Sequence, residues 1–142
     1  MTVEQRAIPM ISYENVAEAV RSLSRMFGFR ENTEQRYTEK DGRVSHAELD
    51  LDGATVMLGT PGPDYQSPKH HRSACEPARR WSQKPFIIDG VFVQVRDINA
   101  HFKRAKDQGA TILSDPVDEP YGFREYRAED PEGHRWMFAQ PI

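Results

Sequence analysis

The chain has 142 residues, 37% of them apolar and 10% aromatic, with 19 Lys+Arg against 22 Asp+Glu for a formal charge of −3. Without a basic excess or an acidic tail, nothing suggests a nucleic-acid partner. The lone Cys75 excludes a disulfide framework and any Cys-rich zinc or iron–sulfur site. No apolar run approaches the ~18 residues of a membrane span, and the first six residues carry no leader pattern, so a soluble, cytoplasmic protein is expected. The 7 Phe, 5 Tyr and 2 Trp are spread along the chain, which favours one folded domain.

In chain order, Ile8–Tyr13 is a short strand leading into Val16, Val20, Leu23 and Phe27, one face of a helix. Asn15 is placed to cap that helix and Gly28 to end it. A short extended segment at Gln35–Thr38 follows, then a longer strand at Val44–Leu49. The acidic-glycine turn of Asp50-Leu51-Asp52-Gly53 leads into a last strand through Val56-Met57-Leu58. Residues 61–85 hold five of the ten prolines with Lys69, His70, His71 and Arg72, and read as a long linker. Within it, Cys75–Trp81 is the place for a short helix. The pattern then recurs. Val91–Val95 is a strand; Ile98, Phe102 and Ala105 line a helix between Asp97 and Gly109. Thr111–Leu113 and Arg124–Ala128 are extended, and Asp130-Pro131-Glu132-Gly133 turns into Trp136-Met137-Phe138. Asp130 lies 80 positions after Asp50, and Gly109 lies 81 after Gly28. The spacing predicts an α+β domain of two strand–helix–strand–strand–strand modules, about 5–60 and 86–140.

Ile11-Ser12-Tyr13-Glu14-Asn15-Val16 running to Met26-Phe27-Gly28-Phe29, then Val91–Asp97, Gly109-Ala110 and Tyr121-Gly122-Phe123 with Asp130-Pro131-Glu132-Gly133-His134, resemble the vicinal oxygen chelate superfamily. That superfamily includes glyoxalases, bleomycin-resistance proteins and extradiol dioxygenases. The resemblance covers the whole chain. It implies two βαβββ modules related by a pseudo-twofold axis, whose mixed sheet curls around a cavity. It also implies a homodimer, with modules pairing within a chain or by exchange between chains. The fold alone does not settle the activity.

Metal-dependent members carry one ligand on the first and one on the last strand of each module. Those positions fall here on Ile8, Met57, Gly90 and Met137, none of which is an imidazole or a carboxylate. No metal and no other cofactor is therefore expected. By strand alternation the cavity is walled by Met10 and Met57 from one module and Phe92, Gln94 and Met137 from the other. Such a wall suits an irregular or planar organic ligand, and the alternative is a closed apolar core. Trp81 and Tyr65 are the lid aromatics. Arg124 is an anion-binding candidate or a surface arginine paired with Glu125 or Glu129.

His46 with Glu48 is the best acid–base pair, and an offset of 80 makes Tyr126 the counterpart of His46; exposure of that face is the alternative. His70-His71 reads as a solvated basic loop, His101 as a water-facing helix residue, His134 as a structural turn residue, and Trp136 as packed beneath a helix. The functional expectation is a metal-free protein that sequesters a partly apolar or aromatic compound. The alternatives are a divergent lyase- or dioxygenase-type enzyme using His46, Glu48, Tyr126 or an atypical metal site, and a structural or regulatory dimer.

Overall fold

The structure, a computed structural model, describes residues 6–84 and 88–142. The leader reading at residues 1–5, Pro85 of the linker and the expected start of the second module at 86–87 lie outside the described residues. The elements in chain order are β1 (Met10–Ser12), α1 (Val16–Phe27), β2 (Arg30–Glu31), β3 (Tyr37–Thr38), β4 (Val44–Leu51) and β5 (Ala54–Gly59). They continue with α2 (Pro68–Ala74), α3 (Glu76–Trp81), β6 (Gly90–Gln94), α4 (Ile98–Asp107), β7 (Thr111–Asp118), β8 (Phe123–Glu129) and β9 (Arg135–Pro141).

Both long helices start as the residues dictate. The Asn15 side chain accepts from the Glu18 N–H and the Asp97 side chain from the Ala100 N–H, each at 3.0 Å. Gly28 closes α1 with φ 78°, a conformation strained for any residue bearing a Cβ, and its N–H reaches the Ser24 carbonyl at 3.1 Å. The linker is more ordered than expected. Pro68 and Pro77 sit in the first turns of α2 and α3, where a missing N–H costs nothing, so proline starts these helices instead of interrupting them. His70 and His71 therefore lie on a helix, not in a loop, and His70 Nδ1 is 3.1 Å from the Glu14 carboxylate.

The strands form two sheets of related topology. Sheet A has the order β1-β5-β4-β2, with β3 also on β4, and sheet B has the order β6-β9-β8-β7. In each, the first strand pairs parallel with the last and all other pairs are antiparallel. One face of each sheet turns inward. Leu49, Val56 and Leu58 of sheet A and Val93, Tyr126, Trp136 and Phe138 of sheet B join α1 and Ile98 and Ala105 of α4 in one hydrophobic core. Phe27 and Phe29 lie 4.8 Å from Phe138 and 5.3 Å from Trp136 between ring centroids, so sheet B packs over the α1 side of sheet A. The other faces, carrying Met57 and Met137, point away from that core.

The halves are also tied reciprocally. The Glu132 carboxylate, in the hairpin turn of the second half, accepts the N–H groups of Glu14 (2.7 Å) and Asn15 (3.1 Å) ahead of α1. Asp52, its equivalent in the first half, accepts the Arg96 N–H ahead of α4 at 2.9 Å.

Candidate functional site

Register fixes what the outward face of sheet B presents. Reading across β6, β9 and β8, the rows are Gly90–Arg135–Glu129, Phe92–Met137–Arg127 and Gln94–Ala139–Glu125. Phe92 is 45% exposed and stacks edge-to-face on Phe123 at 5.4 Å. A cavity of about 180 Å³ opens here, lined by Ile88, Gly90, Phe92, Arg127, Arg135 and Met137.

Behind the cavity lies an ionic layer. Glu129, 4% exposed, receives Arg72 of α2 at 2.6 and 2.9 Å and Arg135 Nε at 3.1 Å. Arg135 also donates to the Lys84 carbonyl at 2.7 Å and to the Ser82 carbonyl, so the linker end is fastened to the sheet. Burial raises the Glu129 carboxyl, but the hydrogen bonds and charges of Arg72 and Arg135 prevail and hold it below the usual carboxylate range. Arg127 is less occupied. Its terminal nitrogen is 3.5 Å from Glu125 Oε1, and among the described residues its Nε has no partner. Glu125 Oε1 also accepts the Tyr121 hydroxyl, which this bond pushes up to about 12, and Glu125 Oε2 is unpartnered among the described residues.

The outward face of sheet A carries the rows Met10–Met57–Glu48 and Ser12–Gly59–His46. His46 and Glu48 thus share a face with Met57, and no hydrogen bond joins them among the described residues. Met10 is 78% exposed on the edge strand, Gln94 is exposed, and Trp81 is half exposed on α3. Tyr65 donates to the Ser12 carbonyl at 3.1 Å.

Three expectations need correction. Tyr126 is fully buried on the inner face and does not share an outward face with His46. The hairpin before β9 has five residues between the paired Glu129 and Arg135, whereas the one before β5 has two between Leu51 and Ala54. The true offset between β4 and β8 is therefore 79, and one residue of slip turns a strand over. His101 does not face water. Its Nε2 donates to the Phe27 carbonyl at 2.8 Å, so Nδ1 accepts the Tyr126 hydroxyl at 2.6 Å; burial lowers the imidazole and raises the phenol. Arg124 shares the inner-face parity of Tyr126 and binds Asn99 Oδ1 (2.9 Å) and Asp118 (3.0 Å), not Glu125 or Glu129.

The sequence reading did not single out Arg127, Arg135 or Arg72 as site residues. The alternation of Glu125, Arg127 and Glu129 along one strand was the available signal, and only the register shows that it faces Phe92. His134 donates to the Ser12 carbonyl at 2.7 Å, and the Tyr13 hydroxyl and Trp136 indole both donate to Asp130.

Ile8, Met57, Gly90 and Met137 offer an aliphatic chain, two thioethers and no side chain where metal-dependent members of the resembled superfamily hold imidazoles and carboxylates. This donor set does not fit a hard divalent ion. Among the described residues, no three His, Cys, Asp or Glu side chains come together elsewhere in a way that suits one.

Two sheets built from the same βαβββ order, each with a first strand parallel to its last, define a class of internally duplicated α+β proteins. The chain belongs to the Glyoxalase/Bleomycin resistance protein/Dioxygenase superfamily, whose sequence profile matches residues 8–138. It is similar to TioX from Micromonospora sp. ML1, with 29% identity, 97% of each chain covered and a TM-score of 0.69. A glyoxalase-related enzyme from Clostridium phytofermentans superposes with a TM-score of 0.68 at 16% identity, covering 99% of this chain and 98% of that one, and shares the fold. An uncharacterized protein of Mycobacterium tuberculosis is 29% identical over 146 residues, spanning 100% of this chain and 78% of its own length.

Proposed function

We propose that this chain is a metal-free small-molecule binding protein that sequesters a partly apolar or aromatic compound, working as a homodimer. The observation that carries the reading is the cavity of about 180 Å³ walled by Phe92 and Met137 on an outward sheet face. Drug-sized ligands occupy roughly 300–1,000 Å³, so this volume suits part of a site. In the proposed dimer a second copy sets Met10 and Met57 opposite Phe92 and Met137, with Gln94 at the rim and Trp81 as the lid.

A thermal-shift screen of aromatic antibiotics and small dicarbonyl compounds tests the binding, because a ligand of the folded state raises the midpoint by mass action. Midpoint shifts that vanish in Phe92→Asp support the reading. Stoichiometric zinc, nickel, manganese or iron in protein purified without chelator overturns its metal-free part, and a monomer by light scattering at micromolar concentration overturns the dimer. A divergent enzyme is the second reading, favoured by His46 and Glu48 lying on one outward face with Met57. Its mark is consumption of a bound compound that stops in His46→Gln.

A further inference from the structure

We infer that the ligand of this site carries a single negative charge, a carboxylate or its equivalent on an aromatic body, and that Arg127 is the residue that selects it. The inference rests on the binding-protein reading and names the ligand class.

Charges on the outward face of sheet B are arranged in depth. The acidic side chains are at the back, with Glu125 1% and Glu129 5% exposed, and Arg135 is buried with them at 5%. The guanidiniums of Arg127 and Arg72 stand in front, at 25% and 22%. A ligand entering beside Phe92 therefore meets a cation, and the carboxylates behind orient that cation without presenting themselves. The local balance is three arginines against two glutamates, which a monoanion neutralises.

Arg127 has donors to spare. Arg135 and Arg72 are spent on Glu129 and on linker carbonyls, and both are fixed by short, well-directed contacts. Among the described residues, the Arg127 guanidinium has one polar contact, at 3.5 Å, to a carboxylate oxygen that already accepts the Tyr121 hydroxyl. A guanidinium with a planar fork and unfilled donors, set in a partly apolar wall, binds a carboxylate strongly because little water competes for it. Phe92, Met137 and Arg127 occupy one row across three strands. Two strand spacings, about 10 Å, separate Phe92 from Arg127, so one bicyclic aromatic acid reaches from ring contact to charge contact.

Calorimetric titration of the full-length protein with 2-naphthoate, 2-naphthamide and 2-naphthylmethylamine tests this, because the three share one aromatic body. The acid is expected to bind about tenfold or more tighter than the amide and the amine. Arg127→Met should bring the acid down to the level of the amide while leaving the amide unchanged. Arg127→Gln serves if the Met variant folds poorly, and Arg124→Met, on the inner face, should keep the preference. Equal binding of the three probes, or a preference for amide or amine, overturns the inference while the binding-protein reading stands, provided Phe92→Ala weakens all three alike. An acid preference that survives in both Arg127 variants also overturns it. Failure of all three to bind the wild-type protein removes the binding reading itself, and the inference with it.

Discussion

The outward faces of sheets A and B are built on one plan and furnished differently. By register, Met10 corresponds to Phe92, Met57 to Met137, Glu48 to Arg127, His46 to Glu125 and Asp50 to Glu129. The two apolar pairs and the Asp50/Glu129 carboxylates survive the duplication; Glu48 and His46, replaced by Arg127 and Glu125, do not. Among the described residues the Asp50 side chain accepts only a hydroxyl, from Thr55 at 2.7 Å, whereas Glu129 holds two guanidiniums and through them the linker. The inner faces differ far less, since both feed one core. Duplication thus preserves what packing requires and leaves free the face that packing does not use.

The largest effect should come from that shared core. Trp136 is 1% exposed and packs against Phe27 and Phe29 of the first half and against Phe138 of its own strand. Trp136→Ala should cost about 3–5 kcal/mol in urea denaturation. Both halves should unfold in one transition. Two separated transitions would break the comparison, because the sheets would then be independent units.

Next in size is the clamp. Glu129→Gln removes the charge facing two guanidiniums and should cost about 3 kcal/mol, against under about 1 kcal/mol for Asp50→Asn on sheet A. The Glu129 carboxyl is lowered from 4.5 in the folded protein, so its contribution is fully present above that pH and is lost as pH falls through the folded value. The stability gap between wild type and Glu129→Gln should therefore narrow below about pH 4.5. A gap that stays constant to acid pH would mean that the clamp works by packing and not by charge.

These differences explain what could be read from residues alone. The two helices, their caps and the hairpin turns were legible because Asn15, Gly28, Asp97 and the Asp/Glu-Gly turns act through local backbone geometry. The helix at Cys75–Trp81 was expected, but Pro68–Ala74 was missed because proline density looks like a break until Pro68 is seen at a helix start. Met57, Phe92 and Met137 were assigned to the cavity-lining face, opposite the helices, by alternation within a strand. Tyr126 was assigned wrongly because relating β4 to β8 requires the length of a turn, and Asp130–His134 is three residues longer than Asp52-Gly53. The Arg72–Glu129–Arg135 layer joins residues 57 and 6 positions apart, and no local pattern announces such a contact.

A smaller effect on stability, and a sharper one on function, is expected at Phe92. Because its ring is 45% exposed, Phe92→Asp should cost no more than about 1 kcal/mol, while the adjacent Val93→Asp, at 2% exposure, should cost several. Loss of ligand binding with a nearly unchanged denaturation midpoint marks a cavity wall. Loss of folding would instead mark Phe92 as core, and the outward face of sheet B would then be no site.

The smallest effects belong to sheet A. His46 and Glu48 are only partly buried, and among the described residues neither has a side-chain hydrogen bond. His46→Gln and Glu48→Gln should each change stability by no more than about 0.5 kcal/mol, and so should the double variant, since neither supports the other. In a binding protein these substitutions should alter the affinity for an aromatic acid modestly. Removing the negative charge of Glu48 should strengthen it slightly if sheet A of a second copy closes over the cavity, because the carboxylate would then lie near the anion that Arg127 attracts. Salt should weaken that gain, as expected for charges that water still reaches. An unchanged affinity in Glu48→Gln at low salt would mean that the two outward faces do not meet across one ligand, and that the cavity on sheet B is closed by something other than sheet A.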